Sequence, residues 1–190
     1  MEKKHTGAKI VRVVTAPPFM ALALVVILWL KGLIPPDGML WAALFLTVLP
    51  LLAYPVWKIV PALEKKGRDS QRKLAVIFSV AGYLIGTALC LIAGRGRLEL
   101  ILYLTYLASG LLVALFSYAV HIKGSGHAAG VAGPTALLIF LLGPWYALGF
   151  VILALVYWCS LVLKRHTLSQ LILGSILSPA SAILLLLFLP

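Results

Sequence analysis

Residues 74–94 read LAVIFSVAGYLIGTALCLIAG, a run of 21 residues without a charged side chain. The hydrocarbon core of a bilayer takes about 20 apolar residues of helix, so this run is long enough to cross one. Its apolar residues do not alternate with polar ones as those of a barrel strand do, which favours a helix. Gly82 and Gly86 lie four apart, a small-xxx-small spacing that lets a second helix come close. Outward from this stretch, six more apolar runs lie at about 17–34, 38–62, 98–120, 127–143, 145–163 and 168–189. Pro35-Pro36-Asp37-Gly38, Gly94-Arg95-Gly96-Arg97 and Gly143-Pro144 supply turns between them. Pro50, Pro55 and Pro61 predict a kinked second run. The fifth run is short and rich in small residues (Ala128, Ala129, Gly130, Gly133), which suits burial among other helices. The expected fold class is all-α: a polytopic transmembrane helical bundle of about six to seven spans. Residues 1–16 form a basic interfacial lead and 17–190 a single membrane domain.

Composition agrees with this reading. The chain is 63% hydrophobic and 11% charged, with a mean hydropathy of +1.09. Soluble domains keep roughly a quarter of their residues charged, so this chain lacks the polar surface to face water all round. The net charge of +11 would suggest nucleic acid on a soluble protein. Here the basic residues sit in short segments between apolar runs, where orientation and anionic headgroups account for them, and no nucleic-acid partner is expected. Cys90 and Cys159 lie within apolar runs without metal-ligand spacing and read as packing residues. The first run is long and lacks a small-residue cleavage site, so it reads as a span and not a cleavable signal.

Three polar islands interrupt the runs: Lys65-Lys66-Gly67-Arg68-Asp69-Ser70-Gln71-Arg72, Gly124-Ser125-Gly126-His127 and Lys164-Arg165-His166-Thr167. Two runs separate the first island from the second, and two more separate the second from the third. All three therefore share one face with the N-terminus. That face collects most of the lysines and arginines, whereas the other holds Lys31, Arg95 and Arg97. The positive-inside rule makes the island face cytoplasmic and the chain a multi-pass protein of the cell membrane.

The islands offer histidines and cations but few carboxylates. Hard cations need oxygen ligands, and this face has only Glu2, Glu64 and Asp69, so no metal is expected. His127 and His166 flank two runs that can pair as an antiparallel hairpin. Two imidazoles suit phosphoryl transfer, one attacking phosphorus and the other protonating the leaving oxygen. Lysines and arginines would hold the equatorial oxygens. Ser125, Gly126 and the start of the fifth helix would add hydroxyl and backbone donors. His121 and Lys123 precede the motif and are weaker candidates for the same site.

These motifs resemble the signatures of the type 2 phosphatidic acid phosphatases, which share their site with vanadium haloperoxidases. Lys65 and Arg72 keep the spacing of the first signature, with Lys73 in place of its proline. Gly124-Ser125-Gly126-His127 matches a second that reads Pro-Ser-Gly-His. Cys159-Ser160, His166 and Gln170 fall where the third has Ser-Arg, His and Asp. Gln170, with Arg165-His166-Thr167 and Gly174, looks like a prokaryotic branch carrying Gln at the last position. The resemblance spans roughly 65–174. It implies that His166 is the nucleophile forming a phospho-histidine, that His127 is the general acid, and that Lys65, Arg72, Ser125 and Gly126 hold the phosphate. No cofactor is implied.

Two departures bear on activity. Ser160 stands where the third signature has its arginine, and Arg68, Lys123, Lys164 and Arg165 are candidates to replace that cation. Gln170 can fix a tautomer by hydrogen bonding but cannot stabilise an imidazolium as a carboxylate does; Asp69 could supply the carboxylate if it reaches His166. The expected function is a metal-independent lipid phosphatase acting on a lipid phosphomonoester or diphosphate, such as phosphatidic acid, a glycerophospholipid phosphate or a polyprenyl diphosphate. The alternatives are an impaired relative that binds or moves phospholipids, and a lipid phosphotransferase.

Overall fold

Proline and glycine set most of the helix ends. The computed structural model describes residues 2–119, 121 and 123–189, and every regular element among them is helical. Helix α1 (Glu2–Val14) ends before Ala16, whose extended backbone is the conformation that a following proline imposes. Pro17 then opens α2 (Pro17–Leu30). The second apolar run forms α3 (Pro36–Ala43), a π-helical segment (Leu44–Val48) and α4 (Leu49–Ile59). Pro50 lacks the N–H that would continue the ladder, and the wider π turn just before it absorbs the mismatch. Thr47 in that turn donates its hydroxyl to the Pro18 carbonyl, 3.0 Å away. The run stops at Val60, again extended ahead of Pro61.

A short helix α5 (Pro61–Glu64) leads into the long α6 (Gly67–Ile92). The Trp57 indole and the Ser70 hydroxyl both donate to the Leu63 carbonyl, which ties this basic junction together. Helix α7 (Arg97–Ala119) returns across the bundle, and α8 (Gly126–Leu142) follows. After a 3-10 turn (Pro144–Leu148) come α9 (Gly149–Val162) and α10 (Leu168–Phe188). Gly82 and Gly86 are contact positions: a Cβ on Gly82 would meet the Phe45 carbonyl, and one on Gly86 the Tyr103 ring.

Helix α8 is the centre of the bundle. Residues 128–135 are buried, and the helix packs against α2, α7, α9 and α10. Its small residues permit this: Gly130 lies against Pro17 and Gly133 against the Ser178 hydroxyl, with no room for a Cβ. The outer faces remain apolar, with Ile77 and Leu84 of α6 and Ile176 and Leu187 of α10 exposed.

Five helical stretches are long and apolar enough to cross a membrane: Pro36–Ile59, Gly67–Ile92, Arg97–Ser117, Pro144–Val162 and Leu168–Phe188. This is the architecture of a multi-pass membrane bundle. Two of the seven runs do not reach span length by themselves. Helix α2 has 14 residues and reaches span length only together with α1, across a bend of 49°. Helix α8 has 17 residues, which at 1.5 Å per residue falls short of a hydrocarbon core of about 30 Å.

Helix α1 is docked, not free. It packs along α9, its Ala8 is wholly buried, and Gly7 faces the Trp158 ring.

Candidate active site

The second and third islands meet through backbone. Ser125 is the N-cap of α8, its hydroxyl oxygen accepting from the Ala128 N–H at 3.3 Å. Its own N–H donates to the Gln170 carbonyl at 3.0 Å. Gly174, one turn further along α10, lies against the Ser125 carbonyl with no space for a side chain. These contacts pin the start of α8 to the first turns of α10, so His127 and His166 come within electrostatic reach of each other.

The chain enters α10 through two linked motifs. Helix α9 ends with Lys164 N–H bonded to the Leu161 carbonyl and Arg165 N–H to the Ser160 carbonyl. This is a Schellman end, a turn that requires a left-handed residue. Lys164 fills that position with φ 50°. Thr167 then caps α10 in a capping box with Gln170. Gln170 Oε1 accepts from the Thr167 N–H at 3.4 Å and stands 3.0 Å from His166 Nδ1. An oxygen that accepts from a backbone N–H can only accept from the imidazole as well. His166 therefore carries its proton on Nδ1, and Nε2 keeps a free lone pair.

Burial lowers the His166 pKa from its ordinary 6.5; the Gln170 hydrogen bond opposes this, while Arg72 and Arg12 add to the lowering. At neutral pH the ring is uncharged. His127 Nε2 lies 3.3 Å from the Arg12 carbonyl. A carbonyl only accepts, so that nitrogen bears the proton.

Arg12 is the residue that sequence reasoning missed. It sits in the last turn of α1, half-buried, with Nη1 shielded from solvent and without a hydrogen-bond partner. It lies within electrostatic reach of Arg68, Arg72 and His127. No carboxylate accompanies these groups: among the described residues the only ion pairs join Arg95 to Asp37 and Glu99 at the opposite end. Asp69 is exposed on α6, and Gln170, not Asp69, occupies His166 Nδ1.

The other expected residues divide. Arg68 and Arg72 are exposed one turn apart on α6, within electrostatic reach of Arg12. Gly126 is exposed in the first turn of α8, with open space above it. Ser125 is fully buried, and its oxygen is engaged as the cap. Lys65 and Lys123 are exposed and Arg165 half-buried, and among the described residues no ion pair ties any of the three into the cluster. Ser160 is fully buried beside Cys159. Among the described residues no three His, Cys, Asp or Glu side chains come together as a metal site would need. In comparisons with known proteins, no family model, no curated protein and no solved structure matches the chain.

Proposed function

We propose that this protein is a lipid phosphatase of the type 2 phosphatidic acid phosphatase kind, working at a cytoplasmic membrane face through a phospho-histidine. The observation that carries the reading is His166. Its Nδ1–H is held by Gln170 and its Nε2 is free, beside arginines that have no carboxylate to neutralise them. Such a site is built for an anion that a neutral nitrogen attacks.

In this reading the Nε2 lone pair of His166 forms a bond to phosphorus while the bond from phosphorus to the lipid oxygen breaks. Substrate charge raises the proton affinity of His127, which protonates the departing oxygen. Water, deprotonated by His127, then attacks the phospho-histidine, the P–N bond breaks, and inorganic phosphate leaves. Arg72 and Arg68 stabilise the equatorial oxygens throughout, with Gly126 N–H as a further donor.

A lipid tail fits the surroundings better than a soluble ester. An apolar cavity of about 480 Å³ lies between α2, α8 and α9. Val131, Pro134, Thr135 and Leu138 line it, and at helical spacing they continue the stripe of α8 that His127 heads. A tail in this cavity would run from the phosphate site towards the bilayer.

The test is phosphate release from detergent-solubilised phosphatidic acid, phosphatidylglycerophosphate and polyprenyl diphosphates with EDTA present. Wild type should release phosphate, and His166→Ala and His127→Ala should not. A second reading, binding of phospholipids without cleavage, is favoured by the amide in place of a carboxylate on His166. Tight binding of these lipids with no release from any of them would replace the first reading with the second.

A further inference from the structure

The lead helix carries a cation where a surface anchor has no use for one. Arg12 points from α1 into the bundle beside Cys159 and Tyr54, with Arg68, Arg72 and His127 in range. Its Nη1 is buried and makes no hydrogen bond. A guanidinium has five donors and stays charged at any physiological pH. Holding one of its nitrogens away from solvent near other cations, without an acceptor, is unfavourable unless an anion joins it.

A second observation points to the same spot. Ser160 on α9 is fully buried, and its neighbour Cys159 is one of the groups around Arg12. Ser160 is also the position at which the resembled signature has an arginine. Helix α1 packs along α9, and the small side chain of Cys159 lies on the side of α9 that Arg12 reaches.

We propose that Arg12 supplies the guanidinium that position 160 lacks, as a phosphate-binding residue donated by the lead helix. This rests on the phosphate chemistry proposed above. The replacement is thus none of Arg68, Lys123, Lys164 and Arg165, which lie in the islands or beside them. The carbonyl of the same residue holds His127 Nε2 at 3.3 Å, so one residue of α1 touches both the anion and the proton donor. The ligand class is a phosphate monoester or diphosphate, whose terminal oxygens can take a bidentate guanidinium.

The experiment uses the full chain in detergent, with inorganic phosphate and orthovanadate as probes, read as ligand-dependent shifts in thermal unfolding and as inhibition of phosphate release. Arg12→Lys keeps the charge and the aliphatic stem but loses the fork. It should weaken phosphate binding by about 10- to 100-fold. Arg12→Ala should weaken it at least as much, and the double variant Arg12→Ala with Ser160→Arg should regain a large part of the loss. A merely structural role for Arg12 would not be rescued from α9. If the alanine variants do not fold, Arg12→Lys decides alone. Phosphate affinity unchanged in Arg12→Lys overturns the proposal, as does a folded double variant no better than Arg12→Ala. Arg12 variants that lose binding to phosphatidylglycerol vesicles while keeping it for phosphate would assign Arg12 to bulk headgroups and overturn it too. Lipid hydrolysis indifferent to Arg12→Lys removes Arg12 and leaves the phosphatase. Wild-type phosphate binding that depends on Arg12, without hydrolysis, removes the phosphatase and leaves Arg12.

Discussion

Gln170 holds His166 with the oxygen that also closes the first turn of α10: Oε1 is 3.0 Å from Nδ1 and 3.4 Å from the Thr167 N–H. Glutamine at this position is a helix cap and a tautomer lock in one side chain, and its amide leaves the imidazole without a negative neighbour.

Replacing that amide is therefore informative. Because the His166 pKa lies below 6.5, kcat/KM should rise with pH through a value below 6.5, as the ring loses its proton and frees Nε2. Gln170→Glu preserves the capping box and puts a carboxylate on Nδ1. It should move this limb up by about one unit or more and raise kcat at pH 7.5 by about tenfold. Gln170→Ala removes the one interaction that raises the pKa, so the limb should move further down while turnover falls. A pH–rate profile identical in all three proteins would remove Gln170 from the chemistry. The same lowering carries a sign for stability: below 6.5 the unfolded chain binds the proton first, so the native state loses stability as the pH falls through the folded value.

Gly174→Ala should uncouple the two histidines. The added methyl meets the Ser125 carbonyl, and backbone cannot turn aside as a side chain can. A loss of about 1–3 kcal/mol in stability is expected for overpacking of this kind, with turnover reduced by more than the folded fraction explains. Thermal unfolding and phosphate release, measured on the same preparation, separate the two effects.

Ile152→Trp should discriminate by tail. Ile152 lines the apolar cavity and is 37% exposed, so the change fills space without breaking the core. KM for a long-chain lipid phosphate should rise by about tenfold, while a short-chain soluble ester is hydrolysed as before. Equal effects on both esters would place the tail elsewhere.

Arg95→Ala tests the opposite end of the bundle. Arg95 bridges Asp37 at 2.6 Å and Glu99 at 3.2 Å, and the Glu99 side chain is only 5% exposed. Removing the cation leaves a buried carboxylate, which should cost about 3 kcal/mol. Turnover of the folded protein should be unchanged, because the pair lies across the bundle from His166.

The runs and islands were legible because hydropathy is a local property: each needs only its own residues. The meeting of the islands was legible through parity, and the capping box is visible in Thr167-Leu168-Ser169-Gln170, though its coincidence with the histidine clamp is not. Arg12 was hidden for a physical reason. In sequence it is one of four cations in an amphipathic lead, and nothing local separates a headgroup contact from a cation turned inward by a bend at Ala16-Pro17. The available signal was Ser160, which stands where the resembled signature has an arginine. Hydropathy alone did not separate α8 from the longer spans, since it detects an apolar run without detecting that other helices enclose it.

The docking of α1 on α9 has a consequence in time. Ribosomes make Arg12 early, yet the residue that its carbonyl meets, His127, follows 115 positions later, and α9 later still. Until those segments have emerged and inserted, the lead has nothing to dock against and the arginine stays in water or among headgroups. The contact between the lead helix and the start of α8 therefore forms late, once most of the chain has been made.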